Sequence, residues 1–222
     1  MRRSALARCR CVAVATLALA AIGCSQPTPL MADAAALAQA RRALAALPEF
    51  AGRAPHVHAV ALFHDDDIEI AIIDPGDAQT LHTYRYLRGR WQREGAMGHS
   101  CAQMRGALGA NNDDMTLERI DFATAARVRA NWYAKARSVP GALADPQYDR
   151  LSGVWFYTRD HRRLAERGNG GPDSDRGAPG PNADRDDDRG EWSTGPISGQ
   201  DGIGYRIEFA IDGSVRRFER LR

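Results

Sequence analysis

Short β-branched and aromatic runs separated by turn residues dominate residues 56–91 and restrict the fold more than any other feature. A preceding Ala- and Leu-rich segment, Met31 to Leu47, has its leucines at helical spacing and stops at Pro48. The runs that follow predict three strands, at residues 56–64, 68–74 and 79–87. The first half therefore predicts the order α-β-β-β, with room for a short fourth strand near Trp91.

The second half predicts the same order of elements. Isoleucine and aromatic residues alternate with other residues from Ile203 to Ile211, which is typical of a strand with one buried face. Asp212-Gly213 predicts a two-residue hairpin turn after it. The complete set is a helix from Phe122 to about Arg137 with Asp121 as its N-cap, and strands at residues 151–158, 203–211 and 215–221.

A long polar segment interrupts this second half. Residues 168–196 are rich in Gly, Pro, Asp and Arg, and most of the segment has no apolar periodicity. Such a segment cannot bury enough apolar surface to offset the loss of chain entropy on folding. We therefore expect a long disordered insertion between the first and second strands of the second half.

These elements predict an α+β fold made of two α-β-β-β units. Antiparallel strands with one apolar face need a covering layer, so we expect each antiparallel sheet to be covered by its own helix. The units span residues 31–94 and 121–222, and a weakly patterned connector at 95–120 joins them. The sequence leaves open whether the two units share one sheet.

The first 23 residues are predicted to be a signal peptide. They contain four arginines and no acidic residue, and the apolar run from Cys11 to Ile22 is about half of the roughly 20 residues that a membrane-spanning helix needs. The leader also accounts for the positive formal charge of the whole chain, so the remainder is slightly acidic. Such a body has no field that would attract a polyanion, and we expect no nucleic-acid partner.

The apolar run ends in Ala21-Ile22-Gly23-Cys24, followed by Ser25. This sequence resembles the lipobox of bacterial lipoproteins. The resemblance implies cleavage between Gly23 and Cys24, lipidation of Cys24, and a short tether at residues 24–30 that holds a periplasm-facing protein at the membrane. Ser25, in enteric-type sorting, implies the outer membrane. The alternative is an ordinary signal peptide that is cut near residues 18–21.

Cysteine content agrees with an exported protein that has no disulfide framework. Cys9 and Cys11 belong to the leader, and Cys24 is assigned to the lipid. Cys101 is then the one thiol left in the mature chain, so no internal disulfide can form. We expect Cys101 to be buried, because a free cysteine behaves as a small hydrophobic residue.

Three further segments carry a second resemblance. They are residues 83–91 (TYRYLRGRW), 117–128 (LERIDFATAARV) and 204–218 (GYRIEFAIDGSVRRF). They are similar to segments of uncharacterised proteobacterial lipoproteins with tandem PepSY-like modules. PepSY-like domains share the α-β-β-β plan, and in some families they inhibit or regulate extracytoplasmic peptidases. The resemblance therefore implies an architecture and a class of function, without a residue role.

Two histidines on the first predicted strand are candidate metal ligands. His56 and His58 are two residues apart, so they share a strand face and could bind a transition metal. His64 lies about 20 Å farther along the same strand and cannot complete that site. The interpretation we favour is an exposed strand face beside a solvated acidic turn, Asp65-Asp66-Asp67.

The segment Gly98-His99-Ser100-Cys101 contains the first half of a nucleophile elbow and makes Ser100 a candidate hydrolase nucleophile. The second Gly of that motif is absent, and no alternating β/α pattern surrounds it. His99 and Cys101 could instead form a thiol–imidazole pair, but no third group to orient it is identifiable. We interpret the segment as a loop with a buried cysteine.

Two remaining groups have simpler structural explanations. His82, Tyr84 and Tyr86 share a strand face and could form an aromatic binding platform, although core packing explains them as well. Asp184, Asp186 and Asp188 are spaced like the start of a calcium loop, but Arg189 stands where such a loop needs Gly. We expect these aspartates to belong to a solvated linker.

The sequence therefore predicts a lipid-anchored, periplasm-facing module in the cell envelope, without catalysis and without a cofactor. It would bind an envelope protein or peptide, through an exposed edge strand, and it could regulate an envelope peptidase. A metal-binding protein that uses His56 and His58 is one alternative. A hydrolase that uses Ser100 is the other.

Overall fold

The computed structural model describes residues 28–78, 80–100, 114–147, 149–159, 190–200 and 202–221. Within these ranges the chain has a mixed α+β architecture, as the sequence predicts. It consists of a seven-stranded antiparallel sheet, a second sheet of three strands and two α-helices. No helix in the described ranges is long and apolar enough to cross a membrane.

The helices are α1 (Ala34–Ala45) and α2 (Ala123–Ala136). The strands are β1 (His56–Phe63), β2 (Asp67–Ile73), β3 (Thr80–Leu87), β4 (Arg90–Ser100), β5 (Asp114–Thr116), β6 (Val154–Tyr157), β7 (Glu191–Thr194), β8 (Ile197–Ser198), β9 (Gly204–Phe209) and β10 (Val215–Arg220). The main sheet has the order β4-β3-β2-β1-β6-β7, and β5 also pairs with β1. The second sheet has the order β10-β9-β8.

Strand β1 lies at the centre of the main sheet and has neighbours on both edges. Its second half pairs with β2 and β6, so that Phe63 lies opposite both Ile68 and Val154. Its first half pairs with β2 and β5. The neighbour of β1 on this edge changes from β5 to β6 near Ala59, which has a φ of 60° and lies where the β1–β2 register shifts. This bulge gives the two halves of β1 different neighbours on the same edge.

Both helices contribute to one hydrophobic core. The Asp33 carboxylate caps α1 by accepting hydrogen bonds from the backbone N–H groups of Ala35 and Ala36. The α1 face that contains Leu37 and Leu44 is fully buried, and α1 contacts α2 and β4. The strand residues at the centre of the core are Ala61, Phe63, Ile68, Ile70, Ile72, Val154 and Phe156.

The second sheet packs against α2 rather than forming a core of its own. The hairpin that joins β9 and β10 places Gly213 against the helix, where its carbonyl oxygen accepts a hydrogen bond from the Asn131 side chain at 2.8 Å. Trp132 Nε1 donates to the carbonyl oxygen of Gly195, just before β8. Ile207 and Phe209 of β9 belong to the same core as α1 and β1. The core is therefore continuous across both sheets.

Several predicted boundaries differ from the structure. The expected short fourth strand is β4, which reaches Ser100, and β5 begins at Asp114, so parts of the predicted connector at 95–120 are strand. The hairpin loop has three residues, because the backbone of Ala210 pairs with that of Ser214, instead of the two predicted. Antiparallel pairing explains these differences, because a neighbouring strand provides hydrogen-bond partners for backbone N–H and C=O groups in segments whose own sequence does not predict a strand.

The predicted disordered insertion at 168–196 is wrong at its C-terminal end. Residues 190–196 are described, and β7 pairs with β6 there. Trp192 is 2% exposed and packs between Phe63 and Phe156, with ring centroids 5.7 and 4.8 Å away. This single indole supplies the apolar surface that the rest of the segment lacks. Residues 168–189 lie outside the described part of the chain.

The expected division into two α-β-β-β units is not confirmed. Strands β6 and β7 from the second half extend the sheet of the first half, while β8, β9 and β10 form the smaller sheet. The physical reason is the apolar character of β1 on its β6 side, where Ala61 and Phe63 pair with Phe156 and Val154. Joining the halves there buries one continuous core.

Candidate functional site

A groove lies at the end of the main sheet where β1 begins, β2 ends and β3 begins. It consists of two cavities, of about 470 and 430 Å³, which share the lining residues Arg53, Ala54 and Pro55. These three residues form the loop that leads into β1. We call the first cavity the basic half of the groove and the second the acidic half, after the charged side chains that line them.

The basic half lies between the C-terminal turns of α1 and the segment after β5. Phe50, Pro55 and Leu117 lie beneath it and are buried, whereas Ala45 and Ala54 are its exposed apolar lining residues. Arg41, Arg42 and Arg53 line it, with Glu118 as the one acidic lining residue. A ligand in this cavity would therefore meet mainly the net positive charge of its rim.

Backbone carbonyl groups hold two of these arginines in place. Arg41 Nη1 donates to the carbonyl oxygen of Glu118 at 3.1 Å, and Arg53 Nη1 donates to that of Pro75 at 2.5 Å. A carbonyl oxygen orients a guanidinium group without cancelling its charge, unlike a carboxylate. The arginines therefore keep their full positive charge toward the groove.

The acidic half is lined by His56, Asp74 and Asp114, together with Ile73, Pro75 and Ala78. The Asp74 carboxylate accepts hydrogen bonds from the backbone N–H groups of Gly76, at 2.7 Å, and Asp77, at 3.1 Å. His82 Nε2 lies 2.8 Å from its second oxygen. The Gly76 N–H bond above all, and then the His82 bond, hold the pKa of Asp74 below its usual value. Asp74 is therefore ionised at neutral pH.

The second carboxylate of this wall is also held by a buried histidine. His58 Nδ1 lies 2.8 Å from Asp114 Oδ1, and the His58 side chain is completely buried. His58 Nε2 and His82 Nδ1 are buried and have no hydrogen-bond partner in the described residues. Each imidazole thus uses one nitrogen to hold an aspartate, and the other does not reach the groove. This arrangement orients the two carboxylates at the wall of the acidic half.

Polar side chains behind the acidic half connect it to the helix layer. Arg93 Nη2 lies 2.7 Å from His82 Nε2 and 4.0 Å from an Asp74 oxygen. The Tyr84 hydroxyl donates to Glu49 at 3.2 Å. Burial, followed by the nearby Glu49 carboxylate, raises the pKa of Tyr84 to about 12. Tyr84 therefore stays neutral and acts as a hydrogen-bond donor at physiological pH.

No protein-family model, curated protein or solved structure matches this chain. The chemistry of the groove therefore rests on its own residues. Three arginines and Glu118 line the basic half, Asp74 and Asp114 line the acidic half with Arg53, and the Arg53–Pro55 loop is common to both. The groove suits a ligand that carries opposite charges at its two ends.

The histidine candidates of β1 have three different environments. His56 is exposed and lines the acidic half, whereas the expectation of an exposed strand face is wrong for His58, which pairs with Asp114 on the neighbouring strand β5. His64 lies beyond the other end of β1, where its Nδ1 contacts the carbonyl oxygen of Ser152 at 2.9 Å. In the described part of the chain, no three His, Cys, Asp or Glu side chains lie close enough to hold a metal ion.

The acidic turn between β1 and β2 is only partly solvated. Asp67 is 4% exposed, contrary to expectation, because the Arg85 guanidinium pairs with it from the neighbouring strand. Asp65 forms a second ion pair, with Arg129 of α2 at 3.0 Å. These pairs connect the turn to β3 and α2, so the turn is a structural junction.

The aromatic face of β3 is part of the core. His82, Tyr84 and Tyr86 are all buried, and they face the side of the sheet that the helices cover. Tyr84 packs against Phe50 with ring centroids 5.5 Å apart, and Tyr86 packs against Trp91 at 5.2 Å. These residues therefore do not form an exposed platform in the structure.

For His99 and Ser100 the structure gives only the position of the backbone. Ser100 is the last residue of β4, and its backbone lies opposite Thr80 of β3. His99 precedes it in the same strand. The other candidates lie outside the described residues: Gly23, Cys24, Cys101, Asp184, Asp186 and Asp188.

Sequence reasoning missed most of the groove. Asp74 and Asp114 come from positions 40 residues apart and meet only because β1 lies between their strands. Arg41 and Arg42 lie in a helix that the sequence predicts, but arginines in a helix carry by themselves no signal of a site. The one usable signal was the Pro-Gly turn after Asp74, which predicts a carboxylate that accepts backbone N–H groups.

Proposed function

We propose that this chain is a lipid-anchored, periplasm-facing module that binds a peptide segment of an envelope partner in the groove. The lipobox-like sequence at Gly23 and Cys24 supports the anchor. The PepSY-like segments support a regulatory role toward an envelope peptidase. The groove supplies the binding surface, and its two charged halves are the observation on which the proposal depends most.

The contiguity of the two halves favours a peptide over a small ion. Both cavities share the Arg53–Pro55 loop, so one extended ligand can contact the three arginines and the two aspartates together. A peptide offers acidic, basic and apolar groups along one chain. Each charged contact in a partly desolvated groove adds orientation as well as affinity.

Strand addition at a sheet edge is the weaker mechanism. Strand β4, at one edge of the main sheet, exposes Arg90, Gln92, Arg93 and Glu94. Strand β10, at the edge of the small sheet, exposes Arg216, Arg217 and Arg220. Charged side chains along an edge discourage pairing with another chain.

The position of the groove suits an anchored protein. The backbone N–H of Leu30 donates to the carbonyl oxygen of Asp65 at 2.6 Å, and Met31 is fully buried, so the chain is held in the fold at Leu30, six residues after Cys24. Six residues span at most about 20 Å. From this point α1 runs about 18 Å to the basic half, which lies at its opposite end. The attachment point of a lipidated Cys24 and the basic half would therefore lie toward opposite ends of α1.

Site-specific photo-cross-linking in native envelopes tests the proposal. A photoreactive amino acid at Ala54, which lines both halves, is expected to form a covalent adduct with an envelope protein or peptide. The matched control carries the same amino acid at Ala134, which is exposed on α2. Charge reversal by Arg42→Glu should remove the adduct at Ala54. Equal adducts at Ala54 and Ala134, or an adduct that survives Arg42→Glu, would contradict binding in the groove.

The same experiment tests the anchor. A Cys24→Ala form, exported through an ordinary signal peptide, is expected to leave the membrane fraction while the wild-type chain remains in it. If the lipid only concentrates the module at the membrane, the Ala54 adduct should decrease without changing partner. A Cys24→Ala chain that stays in the membrane fraction would argue against lipidation at Cys24.

A further inference from the structure

The turn between β3 and β4 lies at the end of the main sheet opposite the groove. Strand β3 begins beside the groove at Thr80 and ends at Leu87, which lies opposite Asp67, the first residue of β2. The β3–β4 turn is therefore next to the β1–β2 turn, where the Asp65 carbonyl oxygen accepts the backbone N–H of Leu30. Because adjacent strands lie about 5 Å apart, the β3–β4 turn is close to the point at which Leu30 is held in the fold.

An arginine occupies an unusual backbone position in this turn. Arg88 has a φ of 52° and Gly89 has a φ of 83°, so both central residues of the two-residue turn are left-handed. Leu87 and Arg90 pair on either side of them. Asn, Asp and Gly are favoured at the first central position, because most other side chains are strained in that conformation. An arginine that lowers stability at an exposed turn points to a role outside the fold.

The side chains of Arg88 and Arg90 are exposed on a hairpin that is fixed to the helix layer. Neither arginine has a hydrogen bond or ion pair with another residue in the described part of the chain. Behind them, Trp91 Nε1 donates to the carbonyl oxygen of Ala40 in α1 at 2.8 Å, and the Trp91 ring packs on Tyr86. The two guanidinium groups therefore keep their full donor capacity and their charge at a fixed place in the fold.

The carboxylates closest to this turn leave it with a positive charge of its own. The Asp65 carboxylate pairs with Arg129, and that of Asp67 pairs with Arg85. Asp66 is exposed and has no ion pair within the described ranges. Three further carboxylates at this end of the molecule accept backbone N–H groups: Asp33, Asp145 and Asp149. The excess of positive charge is thus confined to the β3–β4 turn.

We propose that the β3–β4 turn binds the phosphate groups of anionic phospholipids in the leaflet that carries the Cys24 lipid. This inference rests on the proposed anchor and adds a second contact with the same membrane. Six residues lead from Cys24 to Leu30 and span at most about 20 Å, so the lipid keeps the turn near the headgroups. A guanidinium group can donate two parallel hydrogen bonds to a phosphate. With both contacts made, the groove at the opposite end of the sheet faces away from the membrane.

Vesicle co-sedimentation with the Cys24→Ala chain tests this contact without the anchor. Vesicles of phosphatidylethanolamine and phosphatidylglycerol provide anionic headgroups, and vesicles of phosphatidylcholine alone provide neutral ones. We expect at least tenfold stronger binding to the anionic vesicles at low ionic strength, because each arginine near an anionic surface contributes about fivefold. Equal binding to both kinds of vesicle would overturn the inference. Displacement by soluble glycerol phosphate would assign the turn to soluble phosphate esters and would also overturn it.

The variant Arg88→Asn separates lipid binding from folding. Asn suits the left-handed conformation, so this variant should keep or raise the urea midpoint while it weakens binding to anionic vesicles about fivefold. Arg216→Gln is the matched control, because Arg216 is exposed on β10 in the other sheet. That variant removes the same charge and should leave binding unchanged. Unchanged binding by Arg88→Asn, or equal weakening by both variants, would refute lipid recognition by the turn.

The outcomes separate this inference from the anchor on which it rests. Two arginines hold a chain only weakly at physiological salt, so the Cys24→Ala chain should still leave the membrane fraction. If the wild-type chain stays in that fraction while the Cys24→Ala chain binds no anionic vesicle, the inference is overturned and the anchored module remains. If the wild-type chain itself leaves the membrane fraction, the anchor and this inference are both overturned.

Discussion

The packing of the β9–β10 hairpin on α2 gives a sharp prediction through Gly213. This residue has a φ of 79°, and an added Cβ would lie 2.8 Å from Thr124 Cγ2 and 3.2 Å from Val128 Cγ2. The left-handed conformation costs an alanine roughly 1–2 kcal/mol. Overpacking against the helix adds roughly 1–3 kcal/mol. Gly213→Ala should therefore lower the free energy of unfolding by about 2–5 kcal/mol.

Gly89 supplies the control that separates these two costs. It lies in the turn between β3 and β4 with a φ of 83°, and an added Cβ would meet nothing within 4 Å. Gly89→Ala should therefore show the conformational cost alone, about 1–2 kcal/mol. The difference between the two variants measures the contact of the hairpin with α2.

Urea denaturation followed by tryptophan fluorescence provides the free energies of unfolding. The slope of the free energy against urea should match the wild-type slope in both variants, which shows that the same surface unfolds. If Gly213→Ala is no more destabilising than Gly89→Ala, the hairpin turn does not pack on α2. The continuity of the core across both sheets would then be refuted.

Two further predictions address the core and its pH dependence. Tyr84, with its pKa raised to about 12 by burial and then by Glu49, should titrate later than an unfolded tyrosine near 10. Its contribution to stability is complete below about pH 10 and is lost as the pH rises through about 12, so Tyr84→Phe should remove a late tyrosinate absorbance change and flatten this loss. Trp192→Ala should cost about 3–5 kcal/mol because its indole is buried, whereas Trp155→Ala should cost clearly less because Trp155 is only partly buried. Equal costs in urea denaturation would argue against an ordered β7.

Elements with a strong internal period are the ones that the sequence predicts well. Helix α1, helix α2 and strands β1 to β3 lie within one to three residues of their predicted bounds. The strands β5 and β7 have three and four residues, which is too short for a period to appear. Trp192 is one large hydrophobic residue in a polar segment, and only its neighbours Phe63 and Phe156 reveal why it is buried.

Long-range pairing is the reason why the two-unit expectation does not hold. Local patterns predict each strand, but they do not specify which edge of β1 receives which partner. The positive φ of Ala59 is a further case, because alanine rarely adopts it and no local residue signals a bulge. The bulge lets β5 and β6 share one edge of β1, with Asp114 beside His58 as a result.

The candidate site shows the same limit in chemical terms. Both His56 and His58 lie in β1, but His56 is exposed, whereas His58 is buried and pairs with Asp114. Asp74 and Asp114 become a pair only through the order of the strands. Two arginines of the basic half, Arg41 and Arg42, lie in a predicted helix, and the third, Arg53, lies in a loop. No sequence pattern in either segment predicts that the three lie together.

Two buried histidines, His58 and His82, help to explain why this end of the sheet contains polar residues. Each of His58 and His82 has one buried ring nitrogen without a partner in the described residues. An unsatisfied buried group costs roughly 1–3 kcal/mol, and apolar residues of similar size would avoid that cost. Such residues would also leave Asp74 and Asp114 without the groups that orient them at the groove wall. The two unsatisfied nitrogens therefore lower the stability of the fold at this groove, which lies at the end of α1 opposite Leu30. Such a loss of stability favours a binding role for the groove over a purely structural one.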